Sequence, residues 1–210
     1  FHGYRGWSGN YRDMVATFPP VVVPQNSMAG NFFRILQKFR KLRWHEEWDL
    51  SPYQELIDRY GIDHGLGQMH HFCGDVRIAL KLGWGGLREK VLHYAAINNR
   101  TPQQKELYQA ELLFLDTCIN WIGRTIDGIR EKLQNEDDPL LRENLEGMLQ
   151  TNLRVMLGVP ETLREACQFI SWYNIFGRSF NREGCGGQLD EVLRPYYEHD
   201  ISMGLIDDED

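Results

Sequence analysis

Residues 101–134 read TPQQKELYQAELLFLDTCINWIGRTIDGIREKLQ. Thr101 and Gln104 have the spacing of a capping box, and Pro102 stands at the first helical position, where a missing N–H is harmless. Apolar residues then recur near helical spacing, at Leu107, Ala110, Leu112, Leu115, Ile119, Ile122, Ile126 and Ile129. The stretch therefore predicts one long helix, ending near Gln134, whose apolar stripe faces a core rather than a cofactor.

Shorter segments on both sides of this helix also predict helices. They cover residues 52–60, 71–82, 87–97, 140–157, 160–175 and 188–204, the last of them interrupted at Pro195. Glycines at 83, 85 and 86 predict a kink or a hairpin between the second and third of these segments. By contrast, residues 1–50 read as irregular, with only a short edge strand at Val21 to Val23, and the glycine-rich residues 177–187 predict a tight loop.

Composition limits the classes of function. The 210 residues are 42% hydrophobic and 12% aromatic, which suffices for one core, and the net charge of −7 disfavours nucleic acid and membrane surfaces as partners. No apolar run is long enough to cross a bilayer and no signal peptide opens the chain, so we expect a cytoplasmic location. The four cysteines lie far apart and predict free thiols.

Three groups of motifs carry a family resemblance. The first is GQMHHFCGD at 67–75 with LKLGWGGL at 80–87, and the second is TPQQ at 101–104 with YQA at 108–110. The third comprises LREACQ at 163–168, GQLDEVLRPYYEHD at 187–200 and GLIDDE at 204–209. In this order and spacing they resemble the pyruvate formate-lyase-like family of glycyl radical enzymes, although Val76 replaces a tyrosine of the family pattern.

The resemblance implies a large α/β barrel surrounded by helices. This chain would be a partial domain, mainly α within an α/β architecture, with residues 1–50 irregular and residues 51–210 supplying outer helices and a few inner-wall strands. The family uses a glycine radical near its C-terminus and a cysteine on an inner loop. No R-V-x-G-Y-like stretch occurs here, and Cys185 lies where the family's catalytic cysteine is not found. We therefore expect an N-terminal-half portion, cut at both ends and inactive alone.

The same resemblance implies cofactors and partners. No cofactor is expected in this chain, and the protein-derived glycyl radical is expected only in the full enzyme, a strictly anaerobic lyase, dehydratase or decarboxylase acting on a small polar substrate. Partners would be that substrate, a radical S-adenosylmethionine activating enzyme, and the rest of the barrel or another chain. Two alternatives stay open: a non-catalytic helical interaction module derived from the family, and a small metal-dependent hydrolase.

Histidines and acidic residues crowd together just before the first glycine-containing helix. The cluster contains Asp63, His64, His70, His71, Cys73 and Asp75. Three readings remain: a metal site, histidines that pack or cap a helix start, or substrate-binding side chains. The resemblance favours the last, with His71 and Asp75 in the family's cavity. If helical, the spacing of His71 and Asp75 places both on one face, where they could bind a hydroxyl together or pair with each other.

The glycine-rich loop is the second candidate site. Ser179, Asn181 and Arg182 offer hydroxyl, amide and guanidinium donors, and only Ser179 matches a serine of the family's corresponding loop. Two arginines, Arg178 and Arg182, suggest an anionic group on the substrate, held by bidentate contacts. Salt bridges on a solvated loop are an equally acceptable reading.

Overall fold

The computed structural model describes residues 3–30, 51–61, 74–178 and 188–207. Within these ranges every regular element is a helix: α1 Gly3–Ala16, α2 Gln54–Tyr60, α3 Val76–Asn98, α4 Pro102–Gln134, α5 Pro139–Val155, α6 Leu163–Arg178 and α7 Leu189–Ser202. A 3₁₀ turn at Ser51–Tyr53 precedes α2, and Gly61 ends α2 in the left-handed conformation. The helical part of the predicted fold is confirmed. The described ranges contain no barrel strand, so the barrel itself stays a prediction.

Helix α4 is the central element and has the predicted bounds. The Thr101 hydroxyl accepts from the Gln104 N–H at 3.2 Å, and the Gln104 side-chain oxygen accepts from the Thr101 N–H at 3.0 Å. This reciprocal capping box satisfies two of the helix's free N–H groups. At 1.5 Å per residue the helix is about 50 Å long, so it is long enough to pack against α1, α3 and α5.

The core lies along the predicted stripe of α4. Ala110, Leu115, Ile122, Ile126 and Ile129 of that stripe are buried, which confirms the core assignment for them. Aromatic rings from α3, from α6 and from α4 itself complete the main cluster: Trp84, Trp121, Phe169, Trp172 and Phe176. Helix α6 supplies three of these rings and packs between α5, α3 and α7.

Residues 3–16 are helical, so the prediction of an irregular N-terminal segment is wrong there. Helix α1 buries Tyr11 and Val15 against α4, and the rings of Tyr11 and Phe114 lie 5.0 Å apart. Glycines lower the helix propensity of this stretch, but packing on α4 overrides it. Arg124 of α4 donates to the carbonyls of Phe18 and Val15, at 2.7 and 2.8 Å, and so caps the end of α1.

The edge strand predicted at Val21 to Val23 does not form. Residues 18–23 are irregular and run along α4, where a Cβ added to Gly128 would lie 2.9 Å from Pro20 Cβ and 3.4 Å from Val22 Cγ2. A strand needs a neighbouring strand to pair with, and this segment lies against a helix instead. The prediction failed because β-branched residues also occur in half-buried irregular segments, as Val21 and Val22 do here.

Several helix ends differ from the sequence prediction. Helix α6 begins at Leu163 rather than at Pro160, because Thr162 and Glu165 form a capping box: the Thr162 hydroxyl accepts from the Glu165 N–H, and the Glu165 carboxylate accepts from the Thr162 N–H. Helix α5 ends at Val155, before Gly158. Helix α7 continues through Pro195 without interruption.

Helix α3 is kinked at Gly83, as the glycines predicted. Gly83 has φ 66° and ψ 173°, a backbone conformation that only glycine adopts readily. A Cβ at Gly83 would lie 2.4 Å from the carbonyl oxygen of Gly158, and one at Gly85 would lie 2.5 Å from that of Leu157. The kink therefore rests directly on the backbone that connects α5 to α6.

Side chains of α5 and α6 hold the irregular segment Pro24 to Ala29 by its main chain. Asn144 donates to the carbonyls of Pro24 and Asn26, at 2.7 and 2.8 Å. Gln168, 1% exposed, accepts from the Ala29 N–H at 2.8 Å and donates to its carbonyl at 3.1 Å. These pairings satisfy backbone groups that would otherwise be buried without partners.

Asn152 joins this arrangement to the aromatic core. Its side-chain oxygen accepts from the Trp172 indole N–H at 2.8 Å, and its amide group donates to Met148 O at 2.8 Å and to Gln168 Oε1 at 3.3 Å. Both amides are buried, and each makes at least two hydrogen bonds. The network fixes the rotation of α6 relative to α5.

Two other sequence predictions can be compared with the described residues. Cys118 and Cys167 are free thiols, as predicted, whereas Cys73 and Cys185 lie outside the described ranges. No helix in the described part of the chain is both long enough and apolar enough to cross a membrane.

Candidate functional site

Of the predicted substrate-binding residues, Asp75 lies within the described ranges. His71, Ser179, Asn181 and Arg182 fall outside them, so their assigned roles remain predictions. The structure does describe the helix next to each candidate segment. Helix α3 begins after Asp75, and α6 ends at Arg178, just before Ser179.

Asp75 is the N-cap of α3 rather than a residue inside a helix. Its backbone is extended, with φ −73° and ψ 94°, and its carboxylate accepts from the Arg77 N–H at 3.1 Å. The prediction that His71 and Asp75 share one helix face is therefore wrong, because α3 starts only at Val76. Aspartate competes well for the N-cap because its oxygen satisfies a free N–H. The substrate-binding role of either residue does not depend on that helix.

The Asp75 carboxylate is also paired with the Arg77 guanidinium. Arg77 Nε donates to one carboxylate oxygen at 2.9 Å, and Nη2 donates to the other at 3.1 Å. The hydrogen bonds from the Arg77 side chain lower the pKa of Asp75 below the ordinary value for aspartate, and the hydrogen bond from the Arg77 backbone makes a smaller contribution in the same direction. Asp75 is thus ionised at neutral pH and can accept hydrogen bonds, with a side chain that is 45% exposed.

Helices α3 and α6 meet at the ring of Trp84, which contacts three aromatic rings of α6. The Trp84 ring stacks on Phe169, with centroids 4.7 Å apart and planes 16° apart, and meets Phe176 edge-on at 5.1 Å. Trp84 follows the Gly83 kink, and Phe176 lies in the last turn of α6. The helix that starts after Asp75 and the helix that leads to Ser179 are therefore packed against each other.

The other end of α6 is attached to α7 by a buried carboxylate. Asp200 of α7 is 2% exposed, and its Oδ2 accepts from the Leu163 N–H at 2.7 Å. Its Oδ1 lies 2.8 Å from His199 Nδ1. Sequence analysis placed Asp200 in a family-like motif without assigning it a role, and the structure makes it a helix cap that anchors α6.

No group of three or more metal-ligating side chains occurs among the described residues. The metal reading of the sequence depended on Asp63, His64, His70, His71 and Cys73, all of which lie outside the described ranges.

An apolar groove lies between α1, α3 and α4, and sequence analysis missed it. Its volume is ≈ 530 Å³ and its wall includes Tyr4, Trp7, Leu87, Val91, Tyr94 and Phe114. Glu111 also borders the groove, and partial burial raises the pKa of its carboxyl. The sequence signal for the helix α1 that forms one wall of the groove was the i, i+4 spacing of Trp7 and Tyr11, but this segment was predicted to be irregular.

Comparison with solved structures identifies the fold. The chain matches a glycyl radical enzyme from Archaeoglobus fulgidus with a TM-score of 0.73 and 18% identity, over 99% of this chain and 34% of that one. The described helices thus have the arrangement found in part of a glycyl radical enzyme fold.

Sequence comparison establishes the family. The model of the pyruvate formate lyase-like family matches residues 53–210, so the chain belongs to that family. Isethionate sulfite-lyase of Nitratidesulfovibrio vulgaris is 26% identical over 140 residues, which cover 63% of this chain and 17% of that protein. (2S)-3-sulfopropanediol dehydratase of Klebsiella oxytoca is 22% identical over 185 residues, covering 76% and 22%. The chain thus spans less than a quarter of the length of these curated relatives.

Proposed function

We propose that this chain is a portion of a glycyl radical lyase or dehydratase, and that it helps to bind and orient a small polar substrate. The family match over residues 53–210 carries the proposal, since it includes the motifs around Asp75 and around the glycine-rich loop. The radical glycine and the catalytic cysteine would be supplied by parts of the enzyme outside these 210 residues. Alone, the chain would have no turnover.

The proposed substrate class is a small hydroxylated compound with an anionic group. Both curated relatives are named for sulfonates, isethionate and (2S)-3-sulfopropanediol. Arg182 and the preceding Arg178 would suit such a group, because a guanidinium forms paired hydrogen bonds with the oxygens of an anion. Ser179 and Asn181 would donate to the remaining polar atoms.

Asp75 and His71 would bind the hydroxyl group of the substrate. An ionised Asp75 accepts a hydrogen bond from the hydroxyl, and Arg77 holds the carboxylate in that charge state. His71 would donate a proton to a hydroxyl that leaves, since histidine changes charge near neutral pH. In a lyase that breaks another bond, the same pair would only orient the substrate.

The rival function is a helical interaction module without chemistry. It rests on the absence of an R-V-x-G-Y-like stretch from the 210 residues. Exposed apolar side chains fit a chain that packs against further protein in either case, among them Ile78, Ile97, Leu140, Met203 and Leu205. The two functions differ in whether the complete protein turns over a substrate.

The test uses the complete protein that contains this sequence, activated anaerobically with a radical S-adenosylmethionine activating enzyme. We expect an organic doublet in the electron paramagnetic resonance spectrum, and turnover of isethionate or (2S)-3-sulfopropanediol but not of glycerol. Activation without turnover of either sulfonate would reject the substrate class, and a protein that forms no radical would favour the interaction module. The isolated 210-residue chain should give no doublet.

Two substitutions test the residues of the proposed site. In the complete enzyme, His71→Ala and Asp75→Asn should lower kcat/KM strongly while thermal stability changes little, because the side chains contact substrate rather than core. Asp127→Asn is the matched control, since Asp127 forms a comparable exposed pair with Arg130 on α4. A loss of stability in His71→Ala, with full activity per folded molecule, would instead identify a packing role.

A further inference from the structure

Helices α3 and α6, which are in contact, each adjoin in sequence one of the two segments that the proposed function places at the substrate. Helix α3 follows directly on Asp75, and the last turn of α6 precedes Ser179. Between them stands Trp84, 3% exposed, whose ring stacks on Phe169 and meets Phe176. Any shift of Trp84 relative to α6 would change how α3 packs against the last turn of α6.

The backbone around Trp84 has little freedom to shift. Gly83 and Gly85, on either side of it, rest on the carbonyl groups of Gly158 and Leu157 with no room for a Cβ. Gly158 in turn approaches the carbonyl of Arg154, since a Cβ there would lie 2.7 Å from that oxygen. Backbone atoms form both sides of these contacts, so neither side can relax by rotating a side chain.

The polar network holds the opposite side of the contact in place. Trp172, one turn from Phe169 and Phe176 on α6, donates to Asn152, and Gln168 is bound to Ala29. Helix α6 is therefore fixed in rotation where it presents Phe169 and Phe176 to Trp84. Both partners of the aromatic contact are held by neighbours that are themselves rigid.

We propose that Trp84 is a positioning residue for the radical reaction, and that it sets the placement of the start of α3, which follows Asp75, relative to the last turn of α6. This inference rests on the proposed function. Its contribution comes from the shape of the ring, because the buried indole Nε1–H has no hydrogen-bond partner in the described part of the chain. A phenyl ring at this position keeps the stack, whereas leucine removes it.

The test compares Trp84→Leu and Trp84→Phe in the complete protein. Leu145→Ala is the matched control, because Leu145 is fully buried in the separate cluster between α4 and α5. Phe169→Leu, a milder change on the other side of the stack, serves if Trp84→Leu does not fold. Hydrogen–deuterium exchange is measured before activation, and kcat/KM is measured per molecule that carries the radical.

In Trp84→Leu we expect faster exchange in residues 76–82 and 169–178 together, and kcat/KM lower by about tenfold or more, as displacements near 1 Å produce at reacting groups. Trp84→Phe should restore both readouts, and Leu145→Ala should leave kcat/KM unchanged. Faster exchange in only one segment, or equal kcat/KM for Trp84→Leu and Leu145→Ala, overturns the proposal. If the wild-type protein forms no radical, the proposed function fails and the positioning role fails with it. The hydrogen–deuterium exchange rates would still show whether Trp84 stabilises the packing of α3 on α6.

Discussion

Replacing Gln168 by leucine should destabilise the fold, although leucine is the more apolar residue. The change removes the partner of both the N–H and the carbonyl of Ala29, which is 2% exposed. Each buried group left without a partner costs about 1–3 kcal/mol, so the two cost about 2–6 kcal/mol together. Burial of the more apolar leucine side chain offsets part of this cost, so the net loss in the free energy of unfolding is about 3 kcal/mol.

This loss can be measured by thermal unfolding followed through tryptophan fluorescence, to which Trp172 beside the network contributes. For a chain of this size, a loss of about 3 kcal/mol lowers Tm by about 6–12 °C. Gln150→Leu is the control, because Gln150 is exposed on α5 and should change stability by less than about 0.5 kcal/mol. Equal Tm values for the two variants would refute the reasoning that Gln168 satisfies buried backbone groups.

Three other changes test single features of the helices. Gly83→Ala should lower the free energy of unfolding, measured by urea titration, by about 3 kcal/mol or more, because the new residue would have both a positive φ and a Cβ that overlaps a carbonyl oxygen. Gly204→Ala is the control: its φ is 66° but its surroundings are open, so it should cost about 1 kcal/mol. Thr101→Ala should cost about 1 kcal/mol through loss of the cap, and Thr101→Ser should restore it. The ion pair of Asp75 with Arg77 stabilises the fold at pH values above the ordinary pKa of aspartate, and this stabilisation is lost as the pH falls through the lowered pKa of Asp75. Because Arg77 causes the lowering, Arg77→Ala should raise the Asp75 pKa measured by NMR.

The helices that sequence predicted best are those whose signals are local. The α4 cap and stripe lie within one continuous stretch of sequence. The kink at Gly83 was predictable because the backbone conformation there requires a glycine, and a glycine inside a helical pattern is visible in the sequence. Helix α1 was missed because α4 stabilises it, and such tertiary contacts leave little trace in local propensity. The same reason explains the strand wrongly assigned to Val21–Val23, since Val22 lies against α4 and not against another strand.

The candidate site was less accessible to sequence reasoning than the fold. Motif order predicts which segments border a substrate, and that stays a prediction. Helix spacing gave the wrong relation between His71 and Asp75, since Asp75 is the N-cap that precedes α3. Trp84 was read as part of a glycine-rich kink and of a family-like motif, without a role of its own. Its contact with Phe169 joins residues far apart in sequence, and no periodicity in either helix contains that pairing.

The way α5 and α6 hold residues 24–29 has a consequence for mutational tolerance. Gln25, Asn26, Ser27 and Met28 are exposed, while Asn144, Arg164 and Gln168 bind the carbonyls of this segment and not its side chains. Substitutions at positions 25–28 that permit the same backbone path should therefore be neutral, and natural variants could accumulate there. Selection should act instead on the distant side chains that bind the segment, so its path could persist after its own sequence has diverged beyond recognition.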